Sequence, residues 1–231
     1  MKVSAPAKPR RIVCFGDSIT GPHPDQSRTY QEKFLKFSDI LQGLLSAAYP
    51  AENWEVVNRG WAGSKASGGI DHPDAATRSR SEILPLHADA VTVLIGGNDM
   101  SPASPVTHGT CGEALMKLGE TLANIPVVCV MLYAPPVTGP DQEASAWHHL
   151  VRANPFLITM AERYGFSILD LGPPLLEAAR LHGHSLVAEP ADGIHLRPMG
   201  EMAVAMSIFQ FLSIQCVPCA LERARGERGT A

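Results

Sequence analysis

The sequence has little that would carry the chain into a membrane or onto a charged partner. Its first apolar run, Ile12-Val13-Cys14-Phe15, follows the basic start MKVSAPAKPRR; it is too short for the core of a secretory leader and far too short to span a bilayer. Neither sign of charge dominates. With 19 basic and 23 acidic residues the formal net charge is −4, so no global field draws nucleic acid or an anionic membrane surface. Aromatic residues make up only 6%, and Trp54, Trp61 and Trp147 come without a basic surface, so they are expected to pack or line a cleft rather than stack on bases. The five cysteines are odd in number and lack framework spacing, which fits reduced thiols in a cytoplasmic protein. Cys216 and Cys219 form a lone C-x-x-C pair, which cannot by itself complete a four-ligand metal site. No repeat or low-complexity segment occurs, and no pattern sets an oligomeric state.

Several catalytic signatures are missing as well. No G-x-G-x-x-G and no P-loop follows the first apolar run, so a nucleotide-binding reading has no phosphate cradle. The stretch Gly16-Asp17-Ser18-Ile19-Thr20 starts like a G-x-S-x-G elbow but ends in threonine. H-E-x-x-H is absent, and neither His148-His149 nor His182-Gly183-His184 has a carboxylate at ligand spacing, so no metal is expected.

What is present is the material for one sizeable globular domain. Hydrophobic residues make up 45% and charged residues 18% of 231 positions, which predicts a single α/β domain over 1–220 and a fraying charged tail over 221–231. Short apolar runs at Arg11–Phe15, Trp54–Asn58, Ala90–Ile95, Pro126–Tyr133 and Phe166–Asp170 read as five parallel strands, several of them buried on both faces. Apolar residues at three- and four-residue spacing predict helices over Tyr30–Ala48, Thr110–Ala123, Glu143–Tyr164 and Met199–Ile214, with a shorter one over Pro173–His182. Proline and glycine cluster just after strands, at Gly21–Pro24, Ser101–Gly112 and Ala134–Pro140, where the ligand-facing loops of a doubly wound sheet belong.

Four segments stand out against that frame: Gly16-Asp17-Ser18 after the first strand, Asn58-Arg59-Gly60 after the second, Gly96-Gly97-Asn98-Asp99 after the third, and Asp192-Gly193-Ile194-His195 before the last helix. In an open parallel sheet the strands share one carboxyl edge, so the first three should converge there. The set can support acyl transfer. A serine hydroxyl needs a base as it attacks, and the imidazole of His195 is a natural one. Asp192, three residues earlier, can orient that ring and stabilise the imidazolium. Ser18 and Gly60 can offer backbone N–H groups, and Asn98 its side-chain amide, to the oxyanion of a tetrahedral intermediate. Gly60 is the expected glycine because it comes soonest after the strand, with Gly63, Gly68 and Gly69 as nearby alternatives. Asp17 and Asp99 are expected to hold their loops through backbone donors.

In order and spacing the four blocks resemble those of the SGNH hydrolases, the GDSL esterases and lipases, and they cover nearly the whole chain. The resemblance implies a flavodoxin-like three-layer α/β/α fold. It also implies ester hydrolysis through Ser18, His195 and Asp192 with no metal or organic cofactor, on a small ester such as an acetyl ester of a sugar. An acyltransferase using the same triad and a catalytically silent ligand-binding protein of this fold are the rival readings. In the family a proline commonly follows the histidine, whereas here Leu196-Arg197-Pro198 delays it by two positions, a shift that still suits proline in the first turn of the last helix. Selectivity is expected to reside in the loops 101–111 and 135–146.

Overall fold

The computed structural model describes residues 10–21, 35–70, 72–101, 104, 106–134, 151–188 and 193–215. Five parallel strands, β1 (Arg10–Gly16), β2 (Trp54–Gly60), β3 (Ala90–Leu94), β4 (Val127–Leu132) and β5 (Ser167–Asp170), lie in the order β2-β1-β3-β4-β5. Their alternation divides the core in two. Ile12 and Cys14 point with Cys129 and Met131 to one face; Val13 and Phe15 point with Val91, Val93 and Val130 to the other. The first face is covered by α1 (Phe37–Ala48), α5 (Gly172–His182) and α7 (Pro198–Gln215), the second by α2 (Ala75–Glu82), α3 (His108–Leu122) and α4 (Asn154–Tyr164). A short α6 (His184–Val187) precedes the segment that leads to α7. This is the three-layer α/β/α arrangement, with the strand order of the flavodoxin-like fold. Among the described residues no helix is long and apolar enough to cross a membrane.

Three expectations are revised. The first helix starts at Phe37 rather than Tyr30, because Lys36 is extended (φ −77°, ψ 157°) and its N–H is capped by Asp39 Oδ2 at 3.0 Å; residues 30–34 lie outside the described residues. The helix expected from Glu143 appears as Asn154–Tyr164, opened by Pro155, with 143–150 likewise outside. The helix α2 was not expected at all. Its buried positions are Ala75, Ala76, Arg78 and Ser79, which carry no apolar period for a sequence reading to detect. Cys14, Cys111 and Cys129 are buried free thiols, each pushed up to about 12 by burial, while Cys216, Cys219, Trp147 and the tail lie outside the described residues.

The end of β1 is where the fold builds the site. A Cβ on Gly16 would stand 2.3 Å from the Leu94 carbonyl of β3 and 2.2 Å from Thr20 Oγ1, so only glycine fits between the strand end and the turn behind it. The chain then makes a single tight turn. Asp17 N–H donates to Leu94 O (3.2 Å), Asp17 Oδ1 accepts the Ile19 N–H (3.0 Å), and Gly21 N–H donates to Asp17 O (3.1 Å). As expected, Asp17 serves the loop. Its carboxyl is pushed up to about 7 by burial; the Ile19 N–H opposes the shift and the charge of Asp99 adds to it.

Because Asp17 binds its proton more tightly in the folded chain than in the unfolded one, its ionisation erodes stability as pH rises from about 4 through 7. Asp17→Asn keeps an oxygen for the Ile19 N–H and removes that ionisation. Denaturant titrations of both proteins at pH 4 and pH 8 should show the variant gaining on the wild type by on the order of a few kcal/mol at the higher pH. A constant difference between the two pH values would contradict the assignment.

Candidate active site

The topology places Ser18 and Asn98 just past the ends of the adjacent strands β1 and β3, at the switch point where the chain leaves the first pair of strands on one side and the rest on the other, and His195 reaches Ser18 there. Ser18 is partly exposed between the buried residues Asp17 and Ile19. Its Oγ lies 2.9 Å from Nε2 of His195, a hydrogen bond across 177 residues of sequence. His195 is held by its neighbours. Tyr133, just past β4, donates its hydroxyl to the Ile194 carbonyl at 2.5 Å, and Ala188 and Leu196 form an antiparallel bridge on either side of the loop. Asp192 lies outside the described residues.

The approach to α7 is anchored by a buried ion pair. Glu201, in the first turn of α7, accepts from Lys36 Nζ (2.5 Å) and from the Phe37 N–H that opens α1 (2.8 Å). Burial raises the Glu201 carboxyl, and the adjacent Lys36 ammonium opposes that rise. The pair joins the N-terminal ends of α1 and α7, six residues past His195. Pro198 stands at the start of α7, where the delayed proline was expected.

On the other side of Ser18, the loop after β2 is clamped to the short helical turn Gly97–Met100. Asp99 accepts the Ala66 N–H on Oδ2 (2.7 Å) and the Ser67 N–H on Oδ1 (2.9 Å), the structural use expected of it. Asn98 is partly exposed and donates Nδ2 to the Ser64 carbonyl at 2.9 Å, and among the described residues its second amide hydrogen has no acceptor.

Gly60, the expected oxyanion donor, does not fit that role. β2 runs through it, paired with Gly16, so it lies inside the sheet rather than beyond its edge. Its N–H donates to Asn58 Oδ1 at 2.8 Å, and a Cβ there would meet the Gly21 nitrogen at 2.3 Å. Glycine is required at 60 for the packing of strand against turn. Two of the alternatives are also engaged: Gly68 N–H donates to Lys65 O (3.3 Å) and Gly69 N–H to His72 O (2.8 Å). Gly63 differs from them. It is exposed at φ +76° on the turn beside Ser64, and among the described residues its N–H has no acceptor.

Sequence reasoning missed Tyr133, Lys36, Glu201 and Arg78, all of which hold the site from behind. None belongs to a recognisable block, and each acts through a contact between distant segments that no spacing records. Among the described residues no group of three or more histidine, cysteine or acidic side chains could hold a metal ion.

The sequence model of the GDSL-like lipase/acylhydrolase family matches residues 14–203. Among curated proteins no sequence match is found. The acetylxylan esterase Axe2 from Geobacillus stearothermophilus shares the fold with a TM-score of 0.69 at 19% identity, over 87% of this chain and 93% of its own. LAE5, an alpha/beta hydrolase from the metagenome of Lake Arreo, Spain, does so with a TM-score of 0.66 at 20% identity, over 88% and 94%. From the first strand to the last helix, the chain belongs to the GDSL-like lipase/acylhydrolase family, whose members are carboxylic ester hydrolases.

Proposed function

We propose that the protein hydrolyses small acyl esters, acetyl esters of sugars among them, through Ser18, His195 and Asp192. The observation that carries this reading is the 2.9 Å hydrogen bond between His195 Nε2 and the Ser18 hydroxyl. As Ser18 Oγ attacks the ester carbonyl, His195 takes its proton at Nε2. It then returns that proton to the departing alcohol, leaving an acyl-serine that water clears by the same steps in reverse. Asp192, three residues before His195, accepts from Nδ1–H and stabilises the imidazolium.

The oxyanion receives Ser18 N–H, the free amide hydrogen of Asn98 and Gly63 N–H. Gly63 takes the place of Gly60 because among the described residues its N–H is uncommitted and it directly precedes Ser64, the residue to which Asn98 is tethered. Support for acetyl esters comes from the likeness to acetylxylan esterases. In that enzyme, catalytic mutants replace a serine, an aspartate and a histidine, the last two three positions apart as Asp192 and His195 are.

Ser18→Ala should lower the turnover of p-nitrophenyl acetate on the order of 10⁶-fold and abolish labelling by a fluorophosphonate, with the fold retained. Near-wild-type turnover in the folded variant would end the assignment. In the wild type, added alcohol should leave free acid as the main product; a dominant new ester would make the protein an acyltransferase.

If Asn98 donates to the oxyanion, Asn98→Ala should cut kcat about 10²–10³-fold with little change in KM, because the bond strengthens only as charge develops. Asn98→Asp should be at least as damaging, since it sets a negative charge against the oxyanion. Steady-state kinetics showing the Asp variant well above the Ala variant would make Asn98 a turn-shaping residue instead.

A further inference from the structure

Arg78 is among the largest fully buried side chains of the molecule, with 1% of its surface exposed, on a helix with no apolar period. Its guanidinium lies over the Phe15 ring at 4.5 Å and over Trp61 at 5.3 Å. All five of its N–H donors are used within the protein. Nε and Nη2 meet the two carboxylate oxygens of Glu82 at 3.0 and 2.9 Å. Nη2 also reaches the Arg59 carbonyl at 2.8 Å, and Nη1 reaches the Gly16 carbonyl at 3.2 Å and Ser64 Oγ at 2.7 Å. An arginine with no donor to spare does not bind substrate.

The three acceptors other than Glu82 identify its purpose. Gly16 ends β1 two residues before Ser18, Arg59 is the penultimate residue of β2, and Ser64 is the residue whose carbonyl holds Asn98. Pairing with Glu82 would need only one edge of the guanidinium, and a buried ion pair adds little stability over apolar packing. The planar fork instead fixes the distance between the strand end that carries the nucleophile and the loop to which Asn98 is tethered. We infer that Arg78 is a positioning residue of the reaction: through Ser64 it sets where Asn98 stands relative to Ser18. This rests on the reading of Asn98 as an oxyanion donor.

The test is a double-mutant cycle on kcat for p-nitrophenyl acetate. Arg78→Lys keeps the charge but cannot span the same acceptors, and Ser64→Ala removes one link while leaving the arginine in place. Each should lower kcat about tenfold to a hundredfold with KM nearly unchanged, as expected for a misplacement of reacting groups. In the Asn98→Ala background the same substitutions should cost no more than about twofold further, because the donor they position is gone. The inference is overturned if kcat is unchanged in folded Arg78→Lys and Ser64→Ala, or if their full effect persists without Asn98. Should Arg78→Lys fail to fold, Ser64→Ala alone decides by the same comparison. An unchanged kcat in Asn98→Ala would remove the oxyanion reading, and this inference with it; a lowered kcat there with undiminished Arg78 and Ser64 effects would remove this inference alone.

Discussion

The carbonyl oxygen of Gly16 accepts two hydrogen bonds, from the Trp61 N–H at 3.0 Å and from Arg78 Nη1 at 3.2 Å. Both of its lone pairs are thereby spent on the loop and helix that follow β2, at the point where β1 leaves the sheet. A parallel sheet ends with carbonyls directed beyond its carboxyl edge, and loops placed there have to be tied down by something other than strand pairing. Here one backbone oxygen does much of that tying. Gly16 can occupy the position because it has no Cβ to meet Leu94 and Thr20, and Asp17 and Ser18 inherit their placement from it.

Charge is distributed unequally around this point. Arg78 with Glu82 and Lys36 with Glu201 are buried cations with carboxylate partners, one pair behind each face of the sheet edge. Asp17 lies between them, takes one N–H bond from Ile19, and feels the repulsion of Asp99. Ser18 is therefore flanked by an acid that burial discourages from ionising, and its own hydroxyl faces the imidazole of His195.

Much of this is legible in the sequence. Continuous apolar runs identify the strands because a parallel sheet buries both faces, and they place Ser18 and Asn98 at a common edge. His195 could be paired with Ser18 only through the company of the other blocks. At Gly60, nearness to the strand end in sequence is a poor guide, because β2 continues two residues further than its apolar run and draws Gly60 into the ladder, with its N–H on Asn58 Oδ1. Arg78 was invisible for a different reason. On a polar octapeptide an arginine reads as solvated surface, and only the arrival of Phe15, Trp61, the Gly16 and Arg59 carbonyls and the Ser64 hydroxyl makes it core.

The bond between Ser18 and His195 closes a chain of 177 residues, and it has consequences for how the protein acquires its activity. Pairing β1 with β2 and β3 requires much shorter excursions, and contacts of low sequence separation cost the least loop entropy to form. The turn that carries Ser18 is built on contacts among the first strands, while His195 lies just before α7, later in the chain than every strand. In a chain made from its N-terminus, Ser18 precedes its hydrogen-bond partner by the whole length of the sheet, and the bond between them can form only after all five strands have been synthesised.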